Sequence, residues 1–483
     1  MPPCPRIVKP EAVFRGASGT QQIDSARAPS DITIAMSRTE QIKPAPLDVH
    51  ASPRPLSGDI AVPGDKSISH RALMFAGLAQ GTTRIVGLLE GEDVLRTADA
   101  MRALGADIRR EGRDWVVDGR GIGSLDEPAD VLDMGNSGTA ARLLCGILAS
   151  HDMTAVMTGD GSLRKRPMRR VTGPLAECGA TFLTRSGDRL PLAVRGAAQA
   201  RPISYRLPVA SAQVKSALLL AGLNASGLTR IEEPVATRDH TENMLRHFGV
   251  PVDVTPLEGG GCAISVQGPA RLAARDVIVP GDPSSAAFPI AAALLVPGSS
   301  ILLRGVGLNP LRTGLLQTLR EMGADLRLEN ERVEGGEPVG DLRVTAGTLT
   351  AVDVPPERAP SMIDEYPVLA VVCAAANGRS RLRGLAELRV KESDRLSATA
   401  ALLEANGVSV TIEGDDLLVS GCGGPPPGGG SVATHMDHRL AMSAVVMGLA
   451  ARQPVHVDDL GFVDTSFPGF VRLMNGLGAG IGA

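Results

Sequence analysis

Short runs that set a lysine or arginine beside hydroxyls, small residues and carboxylates recur through this 483-residue chain. Such groupings suit gripping anions and moving protons. The first is Gly64-Asp65-Lys66-Ser67-Ile68-Ser69-His70-Arg71, directly followed by the apolar stretch Ala72-Leu73-Met74-Phe75-Ala76-Gly77-Leu78-Ala79. That order places the polar cluster in the loop and first turn of a helix, where free backbone N–H groups and the positive dipole end favour phosphate or carboxylate. Related runs are Gly135-Asn136-Ser137-Gly138-Thr139 with Arg142, Ser211-Ala212-Gln213-Val214-Lys215, Asp282-Pro283-Ser284-Ser285, Ile363-Asp364-Glu365-Tyr366 and Asp437-His438-Arg439. A solvated helix start with an N-cap serine reads the same way taken singly. Recurrence is what favours a shared anion cleft. Three basic loops lie outside this register: Arg164-Lys165-Arg166-Pro167, Arg238-Asp239-His240, and Arg389-Val390-Lys391-Glu392-Ser393-Asp394-Arg395. The last both holds an anion and offers a carboxylate for proton transfer.

The elements behind these runs repeat. Apolar helices are predicted around 70–79, 139–149, 214–223, 285–295, 366–376 and 439–450, each without a wide polar face and therefore buried. Between them fall helix stops at Gly105, Gly179, Gly249, Gly323, Gly407 and Gly478, in steps of 70 to 84 residues, each expected to lead into an alternating strand. The unit reads as helix-strand-helix-strand, six times over. Val62-Pro63-Gly64-Asp65 recurs letter for letter as Val279-Pro280-Gly281-Asp282, halfway along the repeats, which suits paired crossovers between two similar α/β lobes.

Composition narrows the function. A net charge of −4 leaves no global basic field for nucleic acid, and 2% aromatic residues leave no stacking platform. The six cysteines form no Cys-x-x-Cys pair, so neither a zinc site nor a disulfide framework is signalled; Cys145 and Cys373 read as small buried hydrophobes. No stretch has transmembrane length, and a cytoplasmic protein without membrane or nucleic-acid partners is expected. Gly-x-x-x-x-Gly-Lys-Ser/Thr is absent, which disfavours an NTPase. Residues 1–45 read as a disordered extension, with Met36 as an alternative start and a plastid-type transit peptide as a second reading.

Gly-Asp-Lys-Ser-Ile-Ser-His-Arg, Gly-Asn-Ser-Gly-Thr-Ala-Ala-Arg, Lys-Arg-Pro-Met, Ser-Ala-Gln-Val-Lys, Arg-Val-Lys-Glu-Ser-Asp-Arg-Leu and Asp-His-Arg-Leu-Ala-Met together resemble the enolpyruvyl transferases, over about residues 46–483. The likeness is to the branch that works on shikimate 3-phosphate. It implies two lobes, each of three repeated helix-strand units with buried parallel helices (an inside-out α/β barrel), joined by two crossover strands. Lobe one would be 46–65 plus 280–483, and lobe two 66–279. The implied reaction moves the enolpyruvyl group of phosphoenolpyruvate to the 5-hydroxyl of shikimate 3-phosphate and releases phosphate, with no metal or organic cofactor, in a monomer. By motif, shikimate 3-phosphate would meet Lys66, Ser67, Arg71, Ser211, Ala212, Gln213, Arg238, Asp364 and Lys391. Phosphoenolpyruvate would meet Lys66, Asn136, Gly138, Arg166, Gln213, Glu392, Arg395 and Arg439. Asp364 would take the hydroxyl proton, Glu392 would protonate the methylene carbon, and Lys66 would assist proton movement.

Two departures from the family pattern stand out. Many relatives place a lysine just before the C-terminal Phe-Pro, where this chain has Ser466. The Ser-Ala-Gln and Arg-Asp-His-Thr-Glu forms look like the bacterial branch that includes glyphosate-tolerant members. Yet Leu311 replaces that branch's threonine, and Gly138 is not the alanine that narrows the site against the inhibitor. Glyphosate is expected to compete with phosphoenolpyruvate. The sister transferase acting on UDP-N-acetylglucosamine is the nearest rival, but it uses a loop cysteine and a Lys-Asn start that are missing here. A non-catalytic anion-binding scaffold is the other.

Overall fold

Local chemistry decides where the buried helices begin. In the computed structural model, which describes residues 45–258 and 260–482, they are α1 Lys66–Leu78, α2 Gly138–Ala149, α3 Ala212–Gly222, α4 Pro283–Leu295, α5 Tyr366–Ala375 and α6 His438–Ala450. Apart from Ala45, the expected N-terminal extension lies outside the described residues. Side-chain caps satisfy the first free N–H groups. Asp65 accepts from Ile68 N at 2.8 Å, Ser137 from Ala140 N at 3.1 Å, Asp282 from Ser284 N at 2.8 Å and Asp437 from Arg439 N at 3.0 Å. At the first site the cap is thus Asp65 rather than a serine, which leaves the Ser67 hydroxyl uncommitted to capping.

Each helix is apolar all round, as the sequence predicts. In α1 every residue from Ile68 to Leu78 is buried, and in α6 only Arg439 is not. A fully buried leucine such as Leu369 in α5 contributes about 2 kcal/mol. Packing between α2 and α3 is close enough that a Cβ added at Gly146 would lie 2.1 Å from the Ala217 carbonyl oxygen. The buried apolar side chains form two large clusters. One draws on residues 68–279; the other combines Val49, Leu56 and Val62 with residues 286–481.

All six predicted stop glycines are left-handed, with φ between +73° at Gly407 and +107° at Gly179 and Gly478. Their strands differ from expectation in two ways. A return strand follows in five units, at Asp114–Arg120, Arg189–Arg195, Cys262–Gly268, Glu337–Thr345 and Asp416–Ser420, and lies at the centre of its sheet, antiparallel to both neighbours. The four-element unit is therefore one strand short. After Gly478 there is no strand among the described residues; instead Leu47–Val49, from the other end of the chain, pairs antiparallel with Val455–Val457 and completes the sixth sheet. The described residues form six sheets in all.

The two Val-Pro-Gly-Asp copies lie side by side. Asp65 N donates to Pro280 O at 2.8 Å, Asp282 N donates to Pro63 O at 2.9 Å, and Gly64 and Gly281 form an antiparallel bridge. Gly64 cannot carry a side chain, because a Cβ there would sit 2.0 Å from the Gly87 carbonyl oxygen. No helix among the described residues is long and apolar enough to cross a membrane.

Candidate active site

Polar contacts link the first turns of all six buried helices. Arg71 in α1 donates to Ser216 Oγ in α3 at 2.8 Å, and Gln213 in α3 accepts from Arg142 in α2 at 2.9 Å. Arg312 reaches Asp65 Oδ2 at 3.3 Å, Asp282 Oδ1 at 3.2 Å and Ser284 Oγ at 2.7 Å, tying α1 to α4. Ser284 Oγ donates to Glu365, and Arg439 at the start of α6 lies 3.6 Å from the same carboxylate.

Asp364 is the focus of this network. Its carboxylate lies 2.6 Å from Arg238, 3.1 Å from Arg395 and 3.5 Å from Lys391, while Arg439 donates to its backbone oxygen at 3.3 Å. Burial alone would raise its pKa, but Lys391, Arg439, Arg238 and Arg395 outweigh that and hold it well below the usual carboxylate range. Glu392 pairs with Arg395 at 2.6 Å and keeps about 32% of its side chain open to solvent. Burial pushes it up, yet Arg395, then Arg166 and Lys391, hold it below its ordinary value. Arg395 itself is sealed in, with 1% of its side chain exposed and Asp437 at 2.8 Å as its anchor.

Across the cleft, Arg166 donates to Asn136 Oδ1 at 3.1 Å, and Asn136 donates to Asp160 at 2.7 Å. Gly138 sits beneath two guanidinium groups: a Cβ there would lie 2.8 Å from Arg142 and 3.2 Å from Arg166. Lys66 pairs with Asp93. His438 stands near enough to Lys66 to feel its charge, and burial, opposed by Asp437, lowers its pKa to about 3, so it is neutral at pH 7. His70, in the second turn of α1, is likewise lowered to about 3, mainly by burial. The segment before α6 carries two successive non-glycine residues in the left-handed region, His435 at φ 53° and Met436 at φ 60°, a strain that sets the direction of Asp437 and His438.

Most residues expected from the sequence meet here: Lys66, Asn136, Gly138, Arg166, Gln213, Arg238, Asp364, Lys391, Glu392, Arg395 and Arg439. Ser67, Ser211 and Ala212 line the same helix starts, each half-buried. Arg71 is more deeply buried, with 3% of its surface exposed and three of its donors engaged by Thr241, Ser67 O and Ser216. Asp93 and Arg312 are not among the expected site residues, and Asp437 is expected only as part of its run, with no contact assigned to it. Acidic residues in a helix's first turn are ordinary, so nothing in the sequence set Asp93 apart. Ser466 Oγ, at the departure from the family's lysine, is buried and makes no hydrogen bond. Among the described residues no group of three or more His, Cys, Asp or Glu side chains could hold a metal ion. Burial pushes the Cys145 and Cys373 thiols up to about 12, so both are inert hydrophobes, as read from the sequence.

Comparison with known proteins gives a single answer. Residues 50–474 match the family model of EPSP synthase (3-phosphoshikimate 1-carboxyvinyltransferase). The chain is 73% identical over 436 residues to the 3-phosphoshikimate 1-carboxyvinyltransferase of Gluconobacter oxydans, covering 90% of this chain and 98% of that one. To the protein of the same name from Granulibacter bethesdensis it is 70% identical, covering 89% and 96%. An EPSP synthase structure from Acinetobacter baumannii superposes with a TM-score of 0.82 at 43% identity, over 90% of this chain and 99% of that one. The enolpyruvyl transferase NikO of Streptomyces tendae, at 20% identity and a TM-score of 0.71, shares the fold. With paired carboxylates set among arginines at the helix starts and likeness over nearly its whole described length, the chain belongs to the EPSP synthase family.

Proposed function

We propose that this enzyme transfers the enolpyruvyl group of phosphoenolpyruvate to the 5-hydroxyl of shikimate 3-phosphate and releases phosphate, a step of the shikimate pathway to aromatic amino acids. The observation that carries this reading is the placement of Asp364 among Arg238, Lys391, Arg395 and Arg439, with Glu392 alongside on Arg395. Two carboxylates embedded in fixed cations supply proton transfer where several anionic groups are held.

Shikimate 3-phosphate is held by Lys66, Ser67, Ser211, Ala212, Gln213, Arg238, Asp364 and Lys391. Arg71 braces that pocket from beneath and offers any donor left free. Phosphoenolpyruvate lies against Lys66, Asn136, Gly138, Arg166, Gln213, Glu392, Arg395 and Arg439. Asp364 takes the proton of the 5-hydroxyl as its oxygen attacks C2, and Glu392 gives a proton to the methylene carbon. The resulting tetrahedral adduct then loses a methyl proton and phosphate, with Lys66 assisting. Glu392 is ionised at neutral pH because Arg395 and Arg166 hold it so. Bound carboxylate and phosphate offset those charges, which raises its pKa and makes it a competent acid.

The two apolar clusters and the paired junctions support a division into two lobes, 46–65 with 280–483 and 66–279, each an inside-out arrangement of three units around buried helices. The Arg238–Asp364 pair spans them. One chain carries every group named, which supports action as a monomer, and the same anion contacts suit glyphosate as a competitor. Phosphate release from phosphoenolpyruvate, measured with shikimate 3-phosphate and separately with UDP-N-acetylglucosamine, tests the reading. Turnover with the first only is expected; turnover with the second only would overturn it.

A further inference from the structure

Lys215 lies on α3 two residues beyond Gln213, and only 1% of its side chain is exposed. Its Nζ is 2.8 Å from Glu242, 3.0 Å from Glu233 and donates to the Thr237 carbonyl at 3.2 Å. Burying an ammonium among carboxylates costs desolvation that only close, complete pairing offsets, so such a cluster is an expensive way to gain stability alone. Its arrangement instead converges on one short loop. Glu233 accepts from Thr237 N at 3.1 Å and from Thr237 Oγ1 at 2.7 Å. With the Lys215 bond, the backbone and side chain of Thr237 are fixed by three contacts to two residues. The next residue is Arg238, which reaches Asp364 at 2.6 Å. On the other side, Glu242 follows Thr241, whose hydroxyl accepts from Arg71 Nε at 2.7 Å and donates to Ser216 at 2.7 Å.

We propose that Lys215, acting through Glu233 and Thr237, is a positioning residue that aims Arg238 at the shikimate 3-phosphate site. This inference rests on the function proposed above. Lys215 touches no substrate. It holds the 233–242 segment in the one conformation in which Arg238 projects across the cleft instead of into solvent. Nothing in the chemistry of α3 requires a cation at that position, since the helix is otherwise apolar from Val214 to Gly222 apart from Ser216.

The test uses the whole protein and steady-state kinetics in both substrates. Lys215→Met is expected to raise KM for shikimate 3-phosphate by roughly ten- to a hundredfold while KM for phosphoenolpyruvate changes by less than about threefold, a loss confined to one substrate. In an Arg238→Ala background the same change is expected to add little to that KM, because the residue through which it acts is gone, whereas its effect on thermal stability persists. An unchanged shikimate 3-phosphate KM, equal rises for both substrates, or losses that multiply across the double variant would each overturn the proposal. If Lys215→Met fails to fold by circular dichroism, Thr237→Val, which removes the hydroxyl contact and leaves the ion cluster in place, decides by the same KM criterion. Absence of phosphate release by the unaltered protein would instead overturn the proposed function, and this inference with it.

Discussion

The two Val-Pro-Gly-Asp junctions are identical in sequence and hydrogen-bonded to each other, but they lead into helices with different work. After Asp65 come Lys66, paired with Asp93, and Ser67, a half-buried hydroxyl not needed for capping. After Asp282 come Pro283 and Ser284, and the Ser284 hydroxyl is spent on Glu365. The aspartates also differ, although Arg312 serves both. Burial and the neighbouring Asp65 charge push Asp282 up, whereas at Asp65 the pull of Arg312, His240 and Arg238 overcomes burial and lowers it. Across the helix starts the contrast widens. Those of α1 to α3 present hydroxyls, amides and glycine; those of α5 and α6, with the loop before Arg395, present carboxylates locked to arginines. In the proposed mechanism the first set cradles ligands, with Lys66 assisting the chemistry, and the second supplies the two carboxylates that move protons.

The sharpest way to break that contrast is to remove a carboxylate from the second set. Glu392→Gln is expected to cut turnover by about two to four orders of magnitude while leaving shikimate 3-phosphate affinity, measured by calorimetry, nearly unchanged. Near-normal turnover would dissolve the division of labour. Next in size is the shared cation. Arg312→Met strands Asp65 and Asp282 as buried carboxylates 1% and 6% exposed, and should cost about 3–5 kcal/mol in urea unfolding. A loss near zero would mean the junctions do not depend on each other's charge.

A smaller effect probes what the two sets share. His70 and His438 both have folded pKa values of about 3 against 6.5 when unfolded, so the unfolded chain binds more protons between those limits. Stability therefore falls as pH drops below about 6.5, by about 2 kcal/mol per imidazole at pH 5. The depressed carboxylates Asp364 and Asp437 add losses only below about pH 4, where the unfolded chain takes up protons first. Urea midpoints at pH 7, 5 and 3.5 separate the two windows, and a flat profile from 7 to 5 would show that the imidazoles are not buried neutral. The mildest expected change lies in the first set. Gly138→Ala brings a methyl within 2.8 Å of Arg142 and 3.2 Å of Arg166, so glyphosate should lose roughly tenfold more affinity than phosphoenolpyruvate. Equal inhibition constants before and after would remove the steric argument.

Much of the scaffold was legible because its signals are local. Gly105 and its five counterparts stop helices by backbone conformation alone, and the apolar runs behind Lys66, Gly138 and Asp437 need no partner to be recognised as buried helices. The return strands were not legible. Gly112 or Gly335-Gly336 turns the chain so tightly that the second strand reads as a continuation of the first, and what distinguishes the two is pairing. The sixth sheet was hidden more deeply, since Leu47–Val49 and Val455–Val457 are joined only in space. At the site, residue types were legible from motifs, but partnerships were not. Nothing about Arg238 points to Asp364, 126 positions away, or about Lys66 to Asp93.

Six recurring buried helices, their starts and stops, and the stock of cations, hydroxyls and carboxylates placed there follow from local rules, because capping, glycine conformation and apolar periodicity act within a few residues. Which charges meet, and hence which are ionised, depends on long-range packing. A pKa depends on burial and on the distance to opposite charges, and here those distances are set by chain segments from both junctions arriving at one cleft.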